Sequence, residues 1–279
     1  MSRGVIYTKH LDLTQTKGVY ERPVENWNFL YEASTTKNPQ YDVGDRVCLP
    51  DGRVFRYGKA GSNLLGMKFG VKNGNILIAE KNALVDATAA GSMSVNLTMA
   101  ASTYGHNSDG IIALDELKGG YISFYNSATV REQRGIIGNT AKAALGTTMT
   151  IYLDAPTVVD MSASTNCEIL GNPYSNLIQE NNGATCVMGM PNVLATSGQY
   201  FWIQTWGIFR VTPNAAELST ANDRQYCFDH AGSVVGWKSA HDSAEGGVFA
   251  GYQFAGFIVE KLTGVAGSAA PFINLQINP

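Results

Sequence analysis

Charge is scarce in this sequence. Lys and Arg number 20 and Asp and Glu 23, so charged residues make up only 15% of the chain, against roughly 25% in an ordinary soluble domain. Such a chain must present Ser, Thr, Asn and Gly to water, or have its surface covered by a partner. The net charge is −3, and Lys and Arg nowhere cluster. The nearest approach, Arg53, Arg56 and Lys59, alternates with apolar residues. That disfavours direct nucleic-acid binding, which needs several clustered cations on phosphates. Long apolar runs are missing as well: no stretch approaches the ~18 residues of a membrane helix. The first residues, Met-Ser-Arg-Gly-Val-Ile-Tyr, hold no apolar run of signal-peptide length. Synthesis in a cytoplasm, without export by the usual route, is the expectation.

Cysteine is sparse too. The four, Cys48, Cys167, Cys186 and Cys227, include no Cys-x-x-Cys pair, which excludes a zinc ribbon by pattern. They are too few for a disulfide scaffold, and are expected to be reduced and buried as small apolar residues. Catalytic patterns are equally thin. Gly52 to Lys59 has five residues between its glycines where a phosphate loop has four, and Ala60 stands where Ser or Thr would hold magnesium. No Gly-x-Gly-x-x-Gly follows a strand. His10, His106, His230 and His241 are never paired at metal-ligand spacing. Cys227, Asp229 and His230 are close enough in sequence to form part of a nucleophile–base site, but read better as a structural loop after a strand. Asp109, Asp115 and Glu116 lack the spacing of a calcium loop. Asn96-Leu-Thr98 matches a glycosylation acceptor by chance, given the strand it sits in. No catalytic residue, cofactor or metal is expected.

What is abundant is β-forming sequence: 44% of residues are hydrophobic and 30 are Gly. The densest run is Gln199-Tyr-Phe-Trp-Ile-Gln-Thr-Trp-Gly-Ile-Phe-Arg-Val-Thr-Pro213. At period two, Tyr200, Trp202, Gln204 and Trp206 point one way and Phe201, Ile203 and Thr205 the other. Both faces are largely apolar, so the strand needs cover on both sides. Each large aromatic buries about 150–250 Å², worth roughly 4–6 kcal/mol gross. Two readings stand: a central core strand, or one that also feeds a subunit interface.

Along the chain, residues 1–42 are polar, with spaced aromatics and with Pro23 and Pro39 breaking any helix. This composition suits an extended arm lying on the body or on a neighbour better than a disordered tail. The body, 43–279, opens with a hairpin whose turn is Pro50-Asp51-Gly52. Lys72 to Asn75 reads as a second turn, and 80–90 as helix or strand equally. Strands are expected at 94–99, 110–114, 121–125, 136–139, 149–153, 226–228, 233–237, 249–260 and 272–277. One helical turn is expected near 140–145, and a soft subdomain boundary is allowed near Pro156. Short strands at ~8–12-residue spacing predict a mainly β fold, an antiparallel sandwich or barrel with an extended N-terminal arm.

Two segments carry a resemblance. Gly44-Asp-Arg-Val-Cys-Leu-Pro-Asp-Gly-Arg-Val-Phe-Arg-Tyr-Gly-Lys-Ala-Gly61 and Gln199 to Pro213, together about an eighth of the chain, resemble stretches of tailed-bacteriophage virion proteins, especially head decoration (cement) proteins. The resemblance implies a β-rich protein on the capsid surface that clusters at symmetry axes and bridges capsomers. Its partners would be the major capsid protein and neighbouring copies of itself, a trimer being the expected oligomer, with no nucleic acid or membrane contacted. The residues expected at these contacts are Tyr20, Trp27, Phe29 and Tyr31 in the arm, and Tyr200, Trp202, Trp206 and Phe209 in the aromatic strand. A phage tail or receptor-binding component shares these features. A carbohydrate-binding β-sandwich, stacking sugars on Trp202, Trp206 or Trp237, is the reading from another class.

Overall fold

A computed structural model describes residues 27–74, 86–98, 110–126, 130–144, 148–180, 186–212, 224–229, 231–236, 253–260 and 271–278, and the backbone of the strands at 3–7, 20–23 and 78–80. Two compact units emerge: unit 1 comprises 1–74 and 174–279, and unit 2 is the segment 75–173 inserted between them. The first part of unit 1 holds β1 (Arg3–Tyr7), β2 (Tyr20–Pro23), β3 (Arg46–Cys48), β4 (Val54–Lys59) and β5 (Val71–Asn73). Unit 2 holds β6 (Ile78–Glu80), β7 (Ser94–Thr98), β8 (Tyr121–Tyr125), β9 (Arg131–Asn139), β10 (Thr148–Leu153) and β11 (Asn166–Leu170). Unit 1 resumes with β12 (Leu177–Gln179), β13 (Val187–Pro191), β14 (Tyr200–Arg210), β15 (Gln225–Phe228), β16 (Val234–Gly236), β17 (Gln253–Glu260) and β18 (Phe272–Gln276). The fold is mainly β, two curled antiparallel sheets, with no α-helix among the described residues.

Unit 1 is a 12-stranded sheet in the order β16-β15-β17-β18-β14-β4-β3-β1-β2, with β5, β12 and β13 branching from β14. The β3–β4 hairpin forms as its turn chemistry predicts. Gly52 takes φ +87°, and the Asp51 carboxylate accepts the Arg53 amide at 3.0 Å. At the centre lies β14, eleven residues long, paired with β4 on one side and β18 on the other. Its register slips between Gln204 and Trp206. Gln204, buried inside an apolar strand, is explained by that bulge: its amide donates to the carbonyls of Trp206 and Ile208, at 3.0 and 2.9 Å. Gly207 follows, at φ +89°, where an added Cβ would stand 2.9 Å from the Arg53 Cα. Gly207→Ala is therefore expected to cost about 1–3 kcal/mol in chemical unfolding; an unchanged midpoint would mean the bulge can relax.

Unit 2 is a six-stranded sheet in the order β6-β11-β8-β9-β10-β7. Its core gathers the alternate residues of these strands, among them Val95, Leu97, Ile122, Phe124, Met149, Ile151 and Ile169. The clean alternation of 94–98 is realised, with Val95 and Leu97 buried between exposed neighbours.

Several local expectations need correction. Residues 110–114 form no strand. Ile112 makes a single bridge to Lys142, after which Asp115 turns the chain at φ +59°. The 140–145 region is not a helical turn in its described part, because Lys142 is held extended by that bridge. Its buried ammonium donates to the Gly110 carbonyl at 2.9 Å. Lys72 and Asn73 belong to β5, not to a turn, and pair with β12 and β13. No division falls near Pro156. Arg134 donates to the Pro156 carbonyl, the Thr157 amide bonds to Ser92, and Glu132 accepts the Val158 amide. The two units part instead at 74/75 and 173/174.

Candidate functional site

Four of the aromatic residues singled out by sequence, Trp27, Phe29, Tyr200 and Trp202, meet in one place on one side of β14. Trp202 is 1% exposed. It packs edge-on to Tyr41 at 5.1 Å and to Phe29 at 5.8 Å, and lies tilted against Tyr57 at 5.0 Å. Leu30, Val47, Leu49 and Phe55 complete the cluster, with Trp27, Phe29 and Tyr200 half-buried at its margin. The 3-10 turn Asn28–Tyr31 brings Phe29 and Leu30 to this core. A bridge then binds the chain to β14: the Ser34 and Tyr200 amides each donate to the other's carbonyl, at 2.9 and 2.7 Å. Burial raises the pKa of the Tyr57 phenol, and its oxygen accepts the Asn38 amide at 3.1 Å.

So residues 27–41 cover the aromatic strand within one chain. Trp202 and Phe209 are core residues and cannot be contact residues, contrary to the sequence-based expectation. Phe209 lies in a separate cluster with Val187, Tyr226, Phe228, Ile273 and Leu275. The opposite side of β14 is covered through Phe201 and Ile203, which pack with Leu64, Val71, Tyr174 and Leu177. The period-two reading holds from Tyr200 to Gln204; beyond the bulge the faces exchange, Gln204 pairing with Phe55 but Trp206 with the adjacent Val54, so Trp206 does not share the face of Trp202. What sequence could not show is that the chain supplies its own cover. Tyr31 remains 43% exposed, its hydroxyl accepting from Arg53 at 2.6 Å. Trp206 is half-buried. The Tyr20 side chain and Trp237 lie outside the described residues.

A different surface carries four of the exposed apolar residues of unit 1. Across β14, β18 and β17, cross-strand pairing places Ile208 beside Asn274 and Asn274 beside Phe257. The next row reads Arg210, Phe272, Glu260. Val259 is the extra residue where the register of β17 shifts. Phe272, Phe257, Ile208 and Val259 are 38, 41, 45 and 51% exposed. The signal was present in the sequence: a strand burying Ile273 and Leu275 on one face turns Phe272 to the other. In unit 2, Tyr121, Ile137 and Tyr152 are similarly exposed on the outer face of the sheet.

Asp229 accepts the Ala231 and Ser233 amides, closing the turn before β16, while Cys227 is buried; His230 lies outside the described residues, as do His10, His106, His241 and Asp109. Asp115 and Glu116 accept the Asn139 and Ala113 amides. The cationic groups of Arg56 and Lys59 stand over the Tyr174 and Tyr200 rings. Among the described residues, no three His, Cys, Asp or Glu side chains converge as metal ligands. All four cysteines are free, and Cys186 is exposed where burial was expected. Its open position follows from lying just outside β13, beside Met188. Comparison with protein-family models, with curated proteins and with solved structures returns no match to this chain.

Proposed function

We propose that the chain is a structural protein of a tailed-phage virion, a decoration protein that binds the outside of the head and bridges capsomers. The observation that carries this reading is where the apolar surface lies. The aromatic core is closed within the chain, yet large apolar side chains stand exposed on the outer sheet faces, among a surface poor in charge. Contiguous exposed apolar surface of this kind suits contact with another protein. The N-terminal segment adds a second means of attachment. Its strands β1 and β2 form one edge of the main sheet beside β3, and an extended segment at a sheet edge can pair with a neighbour by strand addition. Many weak contacts of both kinds, multiplied over a shell, add by avidity.

Truncation tests this. Removing residues 1–26 leaves the aromatic cover at 27–41 in place, whereas removing 1–40 uncovers Trp202. The shorter deletion is expected to keep a folded body and to lower retention on purified heads on the order of tenfold. Unchanged retention would overturn the role of the arm.

A second reading, a tail or receptor-binding component that contacts glycans, is favoured by one feature. The outer face of unit 2 sets Tyr121, Tyr125 and Tyr152 among Ser94, Asn96, Thr98, Thr148 and Thr150, and aromatic rings beside neutral hydroxyls and amides suit sugars. The tryptophan-based version loses Trp202 to the core. Tyr121→Ala with Tyr152→Ala should then abolish binding on a glycan array; absence of any glycan binding by the unmutated chain would remove this reading.

A further inference from the structure

We infer that the outer face of β17, β18 and β14 is a homotypic interface, stacking on the same face of a second copy about a two-fold axis. Strand pairing alone points to this interface, whatever the chain's place in a virion. Residues directly opposite in an antiparallel pair share a face. Arg210 pairs with Phe272, and Phe272 with Glu260, so an exposed cation and an exposed anion stand on either side of an exposed ring. One row along, Ile208 and Phe257 flank Asn274 in the same manner. Among the described residues, neither Arg210 nor Glu260 has an ion-pair partner.

Consider two such faces opposed, with a two-fold axis between them running parallel to β18. That rotation keeps each row at its own level along the strands and exchanges the β14 side with the β17 side. Arg210 then opposes the partner's Glu260, and Glu260 the partner's Arg210. Ile208 opposes the partner's Phe257. Phe272 meets its own copy near the axis, as does Asn274, whose amide carries both donor and acceptor. The face is thus complementary to itself in charge, apolar contact and hydrogen bonding, as an isologous interface requires. Sheets packed face to face, with strands roughly aligned and ~10 Å between layers, are an ordinary β-sandwich arrangement.

The face is small. Its exposed residues lie on β14, β18 and β17, three strands or about 14 Å across, and the five residues of β18 run about 17 Å. Those dimensions project to roughly 240 Å², well below the about 800 Å² per partner of a standard interface, so the expected dimer is a weak one. A charge pair at the border and the Phe272 ring at the centre match the usual division into polar rim and apolar core.

The full chain in sedimentation velocity, over a range of concentrations, tests this. A concentration-dependent dimer is expected. Arg210→Glu and Glu260→Arg should each weaken it by on the order of tenfold or more, since each places like charges together twice per dimer. The double charge swap should restore it to within a few-fold. Phe257→Ser should also dissociate it; should that variant misfold, the exposed charge variants still decide the matter. A monomer at every concentration would overturn the proposal. So would association indifferent to the single charge reversals, or one the swap fails to rescue. Binding to heads is read separately, so a chain that dimerises without binding heads supports this interface while refuting the virion reading, and the reverse outcome does the opposite.

Discussion

Trp202→Ala is expected to lower the free energy of unfolding by about 3–5 kcal/mol, the range for emptying a large aromatic site in a closed core. The physical reason is the number of rings that lose a neighbour together. Phe29, Tyr41 and Tyr57 all rest on this indole, and the first two belong to the segment 27–41 that covers the strand. A cavity here therefore weakens both the core and the attachment of the N-terminal segment. Against a total stability of about 5–15 kcal/mol, such a loss is readily seen in urea unfolding followed by circular dichroism. Tyr31→Ala is the control. Its ring is exposed, and its loss should cost no more than about 1 kcal/mol. If Trp202→Ala is as mild as the control, the cluster is not closed by the chain itself.

The second large effect concerns a buried ion pair. Lys72 on β5 and Glu180 just after β12 meet at 3.2 Å, with side chains 7 and 1% exposed. The Glu180 amide also bonds to the Gly70 carbonyl, and Gly70 to Gly232, so the pair sits where β5 is tied to two other segments. Glu180→Ala leaves an ammonium in the interior without its carboxylate and is expected to cost about 3–5 kcal/mol. Replacing both residues, Lys72→Met with Glu180→Leu, removes the desolvation penalty as well as the attraction. The double variant should recover most of that loss, and double-mutant unfolding measurements would show strong coupling. Additive losses would mean that the two groups do not depend on each other.

The fold class was legible because period-two alternation and turn chemistry are local. Gly52 marks its hairpin from four residues of sequence, and 94–98 declares its buried face by itself. What remained illegible depends on distant partners. Lys72 looked like a turn residue because its neighbour is polar and a glycine follows. Its actual place in a strand is fixed by pairing with Ile178 and Val187, over a hundred positions away. A boundary was allowed near Pro156 because the strand pattern loosens after it, but Arg134 and Ser92 hold that segment to the sheet. Ile111 to Leu114 had the composition of a strand, yet the pairing there is one isolated bridge, from Ile112 to Lys142. The candidate contact residues show the same limit. The aromatic density of β14 correctly marked a strand needing cover on both faces, while the source of that cover, residues 27–41 and the cluster around Leu177, was a tertiary fact. The alternation of β18 marked Phe272 as outward-facing, but that Ile208 and Phe257 stand in the neighbouring row was hidden, because these residues lie on three strands far apart in sequence. Only the pairing register puts them side by side.

The account's central claim is that this chain works as a shell component completed by its neighbours. Cryo-electron microscopy of particles that carry the chain tests it most directly. The account predicts density for both sheets on the outer surface of the head, in contact with the shell and with further copies. Particles in which the chain lies elsewhere, or stands as a single copy touching no other, would contradict it.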